Sequence, residues 1–167
     1  MEKVLRWIDK LSEWSGKAAS FLIIPLILFI CYDVFMRYVL SKPTDWAGEL
    51  STYVFGTMWL IGGAYALLTR SHVQMEIFYN RFSPRSRKII DVSVAPFFFL
   101  FIGVLFWQGL NLAIASWAKM EHSWTMWSPP IYLPKTMIPL GAFLILLQGL
   151  AIFIRNILNL VQGEQKS

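Results

Sequence analysis

Four long apolar stretches, separated by short polar gaps, constrain this chain more than any motif in it. They run over about residues 18–40, 47–68, 89–117 and 131–154, and each holds about 19 or more largely uncharged residues. A helix of that length crosses a hydrocarbon layer of ~30 Å. The expected fold class is an all-α integral membrane protein with four transmembrane helices, one membrane domain over residues 1–167. Aliphatic, aromatic and sulfur residues make up 56% of the chain. No soluble domain of about 50 residues or more fits between the stretches.

The basic residues are unevenly shared among the gaps. Lys3, Arg6, Lys10 and Lys17 precede the first span. Arg70, Arg81, Arg85, Arg87 and Lys88 occupy the 69–88 loop, and Arg155 and Lys166 follow the last span. The other face has Lys42, Lys119 and Lys135, with Arg37 still inside the helix end. Positive residues accumulate on the cytoplasmic side, so both termini and the 69–88 loop are expected there. The net charge of +5 is then explained by orientation, with no nucleic-acid partner required. Trp117, Trp124 and Trp127, with Trp46 and Tyr132, are expected as an outer aromatic belt, and Trp7, Trp14 and Tyr79 as the inner anchors.

Residues 2–16 read as an amphipathic helix. Val4, Trp7, Ile8, Leu11 and Trp14 recur at three- and four-residue steps, and charged residues fill the other face. Such a helix can lie in the headgroup layer. The first span ends in Asp33 and Arg37 rather than a small-residue cleavage site, so it reads as a retained signal anchor. Pro25 allows a kink within it. Thr44 or Asp45 is the expected N-cap of the second span, where Gly62 and Ala66 have the small-xxx-small spacing that permits close helix approach. A second apolar patch, 73–79, is expected along the cytoplasmic surface.

Few ionisable groups fall near the spans. Asp33 and Arg37 are spaced to pair along one helix face. The alternative has Arg37 reaching Glu49 or another subunit. Glu49 also sits where a helix N-terminus favours an anion. His72 and Glu76 resemble half a metal site, but no second His or Cys is near, and a solvated loop pair is the expected reading. Cys31 is the single cysteine. No carboxylate, His or Lys falls at mid-depth, and there is no phosphate loop, nucleophile–His pair or HExxH motif. Neither an enzyme nor a cofactor is expected, haem included, since both histidines lie in loops.

Arg37-Tyr38, Trp46-Ala-Gly-Glu49-Leu50-Ser, Trp59 with Gly62-Gly63-Ala64, and Arg70-Ser-His72-Val73 resemble the signature of the small membrane subunit (DctQ type) of TRAP, the tripartite ATP-independent periplasmic transporters. Ile138-Pro139-Leu140-Gly141 and Leu146-Leu147-Gln148-Gly149 are similar to the same family. Gly48 departs from it, where many relatives have an acidic residue before Glu49.

The resemblance implies an accessory subunit. A periplasmic solute-binding protein delivers an organic anion to a large membrane subunit, which holds the substrate and sodium sites and moves like an elevator. The small subunit braces its static scaffold. Arg37, Trp46, Glu49, Trp59, Gly62, Gly63, Arg70 and His72 become candidate interface or structural residues. Loops 41–46 and 118–130 become candidate contacts for the binding protein. Two rival readings are an autonomous four-span transporter, which needs an embedded carboxylate that Asp33 sits too far out to supply, and a membrane anchor of a respiratory enzyme.

Overall fold

The computed structural model describes the backbone of residues 2–69 and 84–164 and the side chains of 3–69 and 93–158. Within these residues the fold is helical, apart from an isolated bridge between His122 and Pro130. Arg70, His72 and the patch at 73–79 lie outside the described residues.

Proline sets the course of the first segment. Helices α1 (Glu2–Phe21) and α2 (Ile23–Tyr38) are separated by Leu22 alone. Pro25 has no N–H to offer the Phe21 carbonyl, so the α-helical ladder breaks at that point. The Leu22 N–H instead donates to the Ala19 carbonyl at 3.0 Å, and the ladder resumes with Leu26 N–H on Leu22 at 3.2 Å. The amphipathic helix expected over 2–16 therefore runs on to Phe21. A short connector with Ser41 in the left-handed region (φ 53°) leads into α3 (Asp45–Leu68). Two longer helices follow, α4 (Pro84–Ala118) and α5 (Tyr132–Glu164).

Among the described residues, three stretches are helices long and apolar enough to cross a membrane: Lys3–Tyr38, Ser93–Ala118 and Tyr132–Leu158. The 24 residues of α3 reach ~36 Å, which is also sufficient length. Its acidic first turn and its glycines, threonines and tyrosines make it less apolar, and it is not among the three. Length and composition thus mark three spans where four were expected.

Helices α4, α5, α3 and α2 follow one another in a layer, with α1 seated against α3 and α5. Helix α4 packs on α5, α5 on α3, and α3 on both α1 and α2, with α1 also reaching α5. Such a layer leaves broad faces uncovered by the chain itself, and Trp59, Phe97, Leu100 and Trp107 point outward from them. The interior is made of small residues instead: Ala47, Ala64, Ala142 and Ala151 are completely buried. At Gly141 a Cβ would lie 2.6 Å from the Leu60 carbonyl oxygen, so the backbones of α3 and α5 nearly touch. Such close approach is what lets apolar helices associate in lipid, where no hydrophobic force distinguishes neighbour from solvent.

Within this chain the close approach on α3 is made at Gly63 and not at Gly62. A Cβ at Gly62 would meet nothing within 4 Å, whereas one at Gly63 would come 2.8 Å from Ile145 Cδ1. One residue is 100° of helix rotation, so Gly63 and Ala64 turn inward while Gly62 stays open.

Gly141→Val is expected to force α3 and α5 apart, because the atom it meets is backbone and cannot rotate away. Overpacking of this kind costs about 1–3 kcal/mol. It should appear as a lower Tm in mild detergent, with Gly48→Ala, which meets nothing within 4 Å, as the neutral control. An unchanged Tm for Gly141→Val would contradict the close approach.

Candidate functional site

The small face of α1 is the side that docks. Leu5, Ser12, Ser15, Gly16 and Ala19 are buried, at the three- and four-residue steps of one helix face. Trp7 and Trp14, expected as interfacial anchors, point away from the layer, 68% and 70% exposed. The reason is steric. Gly16 brings α1 so close to α3 that a Cβ would lie 2.4 Å from Tyr65 Cβ, and no tryptophan fits in such a seam.

A polar network closes this seam. Gln148, fully buried on α5, accepts a hydrogen bond from the Ser12 hydroxyl at 2.7 Å and donates through Nε2 to Asp9 Oδ1 at 3.1 Å. Arg155 reaches Asp9 with both terminal nitrogens, Nη1 on Oδ1 at 3.2 Å and Nη2 on Oδ2. A two-pronged guanidinium–carboxylate contact fixes geometry as well as charge. No buried side-chain N or O atom among the described residues lacks a partner. Sequence reasoning missed this cluster. The available signal was the small-residue spacing of Ser12, Gly16 and Ala19, together with a lone Gln inside a span.

The opposite end of the layer is tied by three carboxylates. Asp33 accepts from Arg37 Nη2 at 2.9 Å and from the Thr44 hydroxyl at 2.6 Å, joining the end of α2 to the start of α3. Of the two arrangements open to Arg37, the structure has the pair with Asp33. Thr44 holds the N-cap position but makes no side-chain cap bond, because its hydroxyl is turned to Asp33. Glu49 accepts from the Tyr53 hydroxyl at 2.5 Å and from Thr125 at 2.8 Å, so it holds the distant 119–131 loop rather than Arg37. Glu121 accepts from Ser116 at 2.8 Å and pairs with Lys135 at 2.5 Å. The Lys135 ammonium, with the Ser116 hydroxyl adding to it, holds the Glu121 carboxyl below its ordinary value of 4.5.

Aromatic side chains complete that end. Trp46 lies among Phe29, Tyr32 and Trp127, and Trp117 lies over Tyr132 with ring centres 4.4 Å apart and its Nε1–H on Thr136 at 2.8 Å. Met120 and Ser128 adopt left-handed backbone at the two sides of the loop. Its tip presents Trp124 and Met126, 99% and 95% exposed. Of the other candidates, Trp59 and Gly62 face outward on α3 and Gly63 inward.

No three His, Cys, Asp or Glu side chains converge among the described residues. An open groove of about 460 Å³ lies beneath the loop, lined by Tyr53, Thr57, Trp127, Leu133 and Met137 among others, and no charged side chain lines it. The polar groups described above are engaged with one another.

Long apolar helices with broad apolar faces left exposed define a helical membrane protein. The chain belongs to the family of the DctQ component of tripartite ATP-independent periplasmic transporters, which matches residues 26–159. It is 26% identical over 161 residues to the isethionate TRAP transporter permease protein DctMQ of Oleidesulfovibrio alaskensis, an alignment covering 89% of this chain and 24% of that protein. It is 25% identical over 154 residues to the sialic acid TRAP transporter small permease protein SiaQ of Vibrio cholerae, covering 85% of this chain and 80% of that one. The chain therefore spans about a quarter of the first relative and most of the second.

Arg155→Gln leaves the Asp9 carboxylate half-buried without its counter-charge. The expected loss is on the order of 1 kcal/mol, discounted for partial exposure. Adding Asp9→Asn should recover part of it in a double-mutant cycle read by Tm; strictly additive losses would show the pair to be uncoupled. For Glu121 the sign follows from its lowered folded value. Its contribution is complete above the ordinary carboxylate range and is lost as pH falls through the folded value. A spin label at position 126 (Met126→Cys in a Cys31→Ser background) is expected to be equally restrained from about pH 6 to 8 and to loosen only as pH falls below the ordinary carboxylate value of 4.5. Glu121→Gln should loosen it at neutral pH, and mobility that rises with pH instead would overturn the assignment.

Proposed function

We propose that this chain is the small membrane subunit of a sodium-coupled transporter for an organic anion, bracing a large membrane subunit that carries the substrate and ion sites. A periplasmic solute-binding protein delivers the anion. In this reading the chain sits in the bacterial inner membrane with α3 as a fourth span, α1 at the inner interface and both termini cytoplasmic. Family membership and the basic-residue bias support that placement. The two relatives are named for isethionate and sialic acid, both organic anions. The first relative has a further three quarters of chain with no counterpart here, which a separate large subunit would supply.

One observation carries the bracing role. Gln108 and Asn111 lie on one face of α4, in the central and outer part of a span, and both are exposed with no hydrogen bond to a described residue. An amide facing hydrocarbon is costly, and polar side chains in spans usually bond across to another helix. A partner helix that completes these amides would hold α4 in place. On α3, Trp59 between the open positions Gly56 and Gly62 offers a second seat for it, and Arg37, Trp46, Glu49, Gly63, Arg70 and His72 act as supporting structure or contact. The groove beneath the loop, with no basic side chain in its lining, is poorly suited to an anion. Cargo handling is thereby left to the large subunit. The binding protein would meet the outer face through loops 41–46 and 118–130.

Co-expression with a neighbouring gene for a roughly twelve-span protein tests the reading. The two are expected to purify together in mild detergent, and Gln108→Leu with Asn111→Leu is expected to reduce recovery of the large subunit several-fold without lowering expression of either. Liposomes containing this chain alone are expected to show no sodium-driven uptake. Normal expression of both without association, or uptake by this chain alone, would overturn it.

A further inference from the structure

The face of α1 turned away from the layer has an order that neither packing nor subunit bracing explains. Lys3, Trp7, Lys10, Trp14 and Lys17 follow one another at steps of four, three, four and three residues, and all are exposed. The same steps on the docked side run through Leu5, Asp9, Ser12, Gly16 and Ala19. At 100° per residue the two stripes lie roughly 160° apart. The Lys–Trp stripe is therefore the outward edge of the molecule at that end. Glu13 is the acidic neighbour within this face, and it pairs with Lys17 at 2.6 Å. Lys3 and Lys10 add positive charge to the stripe, Glu13 lies near Lys10 as well as Lys17, and Asp9 is turned inward to Arg155.

The depth of the stripe follows from what α1 touches. Gly16 lies against Tyr65, one turn from the end of α3 at Leu68, and Asp9 lies against Arg155, beyond the apolar run of α5. Helix α1 thus runs beside the ends of the spans, and its outward face looks sideways into the boundary between acyl chains and headgroups. Tryptophan prefers that boundary. Lysine beside it can bury its stem and lift its ammonium to phosphate level. A protein partner would favour a different composition, because the desolvated centre of a protein interface is depleted in lysine.

We propose that the Lys3–Trp7–Lys10–Trp14–Lys17 face is a binding surface for anionic phospholipid headgroups in the leaflet at this end of the spans. The tryptophans fix the depth of α1, and the lysines select phosphate-bearing lipid of net negative charge over zwitterionic lipid. The assignment of this leaflet as the cytoplasmic one rests on the orientation proposed above; the lipid chemistry rests on α1 alone. Each lysine near an anionic surface contributes roughly a fivefold enrichment.

The full-length chain, reconstituted in nanodiscs of phosphatidylcholine with about 30 mol% phosphatidylglycerol, provides the test, the proportion chosen to give a negative surface potential. Brominated acyl chains are placed on one lipid class at a time. The signal of Trp7 and Trp14 is taken as the difference between the wild type and Trp7→Phe/Trp14→Phe. Per mole of brominated lipid, phosphatidylglycerol is expected to quench several-fold more than phosphatidylcholine. Lys3→Gln/Lys10→Gln should bring the two to parity, as should salt near about 1 M, where charges are screened within ~3 Å. Equal quenching by both lipids in the wild type would overturn the proposal. So would absence of quenching, or its complete loss when the large subunit is reconstituted alongside, which would make the face a protein contact. Labelling an N-terminal tag from either side of sealed vesicles tests orientation separately. Selective quenching with an outward N-terminus would leave the lipid surface standing and remove the proposed topology.

Discussion

Backbone-to-backbone proximity is the constraint on which the rest of this structure depends. Lipid tails are as apolar as leucine, so burying a leucine between two membrane helices gains little over leaving it in the bilayer. What can be gained is dispersion contact between surfaces that fit, and small residues make the fit possible. Gly141 against the Leu60 carbonyl, and Gly16 against Tyr65, set the spacing of α5–α3 and α3–α1. The buried residues are accordingly mostly small, alanine, serine and glycine, while most of the large side chains line the outside. In water this distribution would be inside out.

With helices held this close, polar groups can be placed where they lock relative position at little desolvation cost. Gln148 satisfies both of its amide functions inside the layer, one to Ser12 and one to Asp9, and Arg155 neutralises the carboxylate where the seam opens. At the other end Asp33, Glu49 and Glu121 each bridge separate segments, joining α2 to α3, α3 to the 119–131 loop, and that loop to α5. Each carboxylate is used as a fastener. A chain fastened in this way at both ends keeps its helices in fixed relative positions.

Much of this was legible in the residues. Hydropathy marked the apolar segments because each helix must satisfy its own backbone in lipid, which makes long uncharged runs nearly diagnostic. The Asp33–Arg37 contact was readable because it is local, one helical turn apart. The Glu49–Thr125 contact was not, since 76 residues intervene and nothing in either segment names the other. The docked face of α1 was not legible for a related reason. Trp7, Ile8, Leu11 and Trp14 form the more apolar stripe, and in a soluble protein that stripe would pack. Here the small stripe packs, and the apolar one has lipid as an equally good neighbour. Likewise Gly62 and Gly63 are adjacent and chemically identical, and the chain alone cannot say which one turns toward α5.

The amino-acid order by itself determined that this is a helical membrane protein of the DctQ type, where the helices run and where proline interrupts them, because those properties follow from hydrophobic length, missing backbone donors and local motif spacing. Tertiary structure alone decided which face of each helix is inside and which carboxylate meets which partner. In a bilayer those choices turn on shape complementarity and on contacts between distant segments, and neither leaves a periodic mark along the chain.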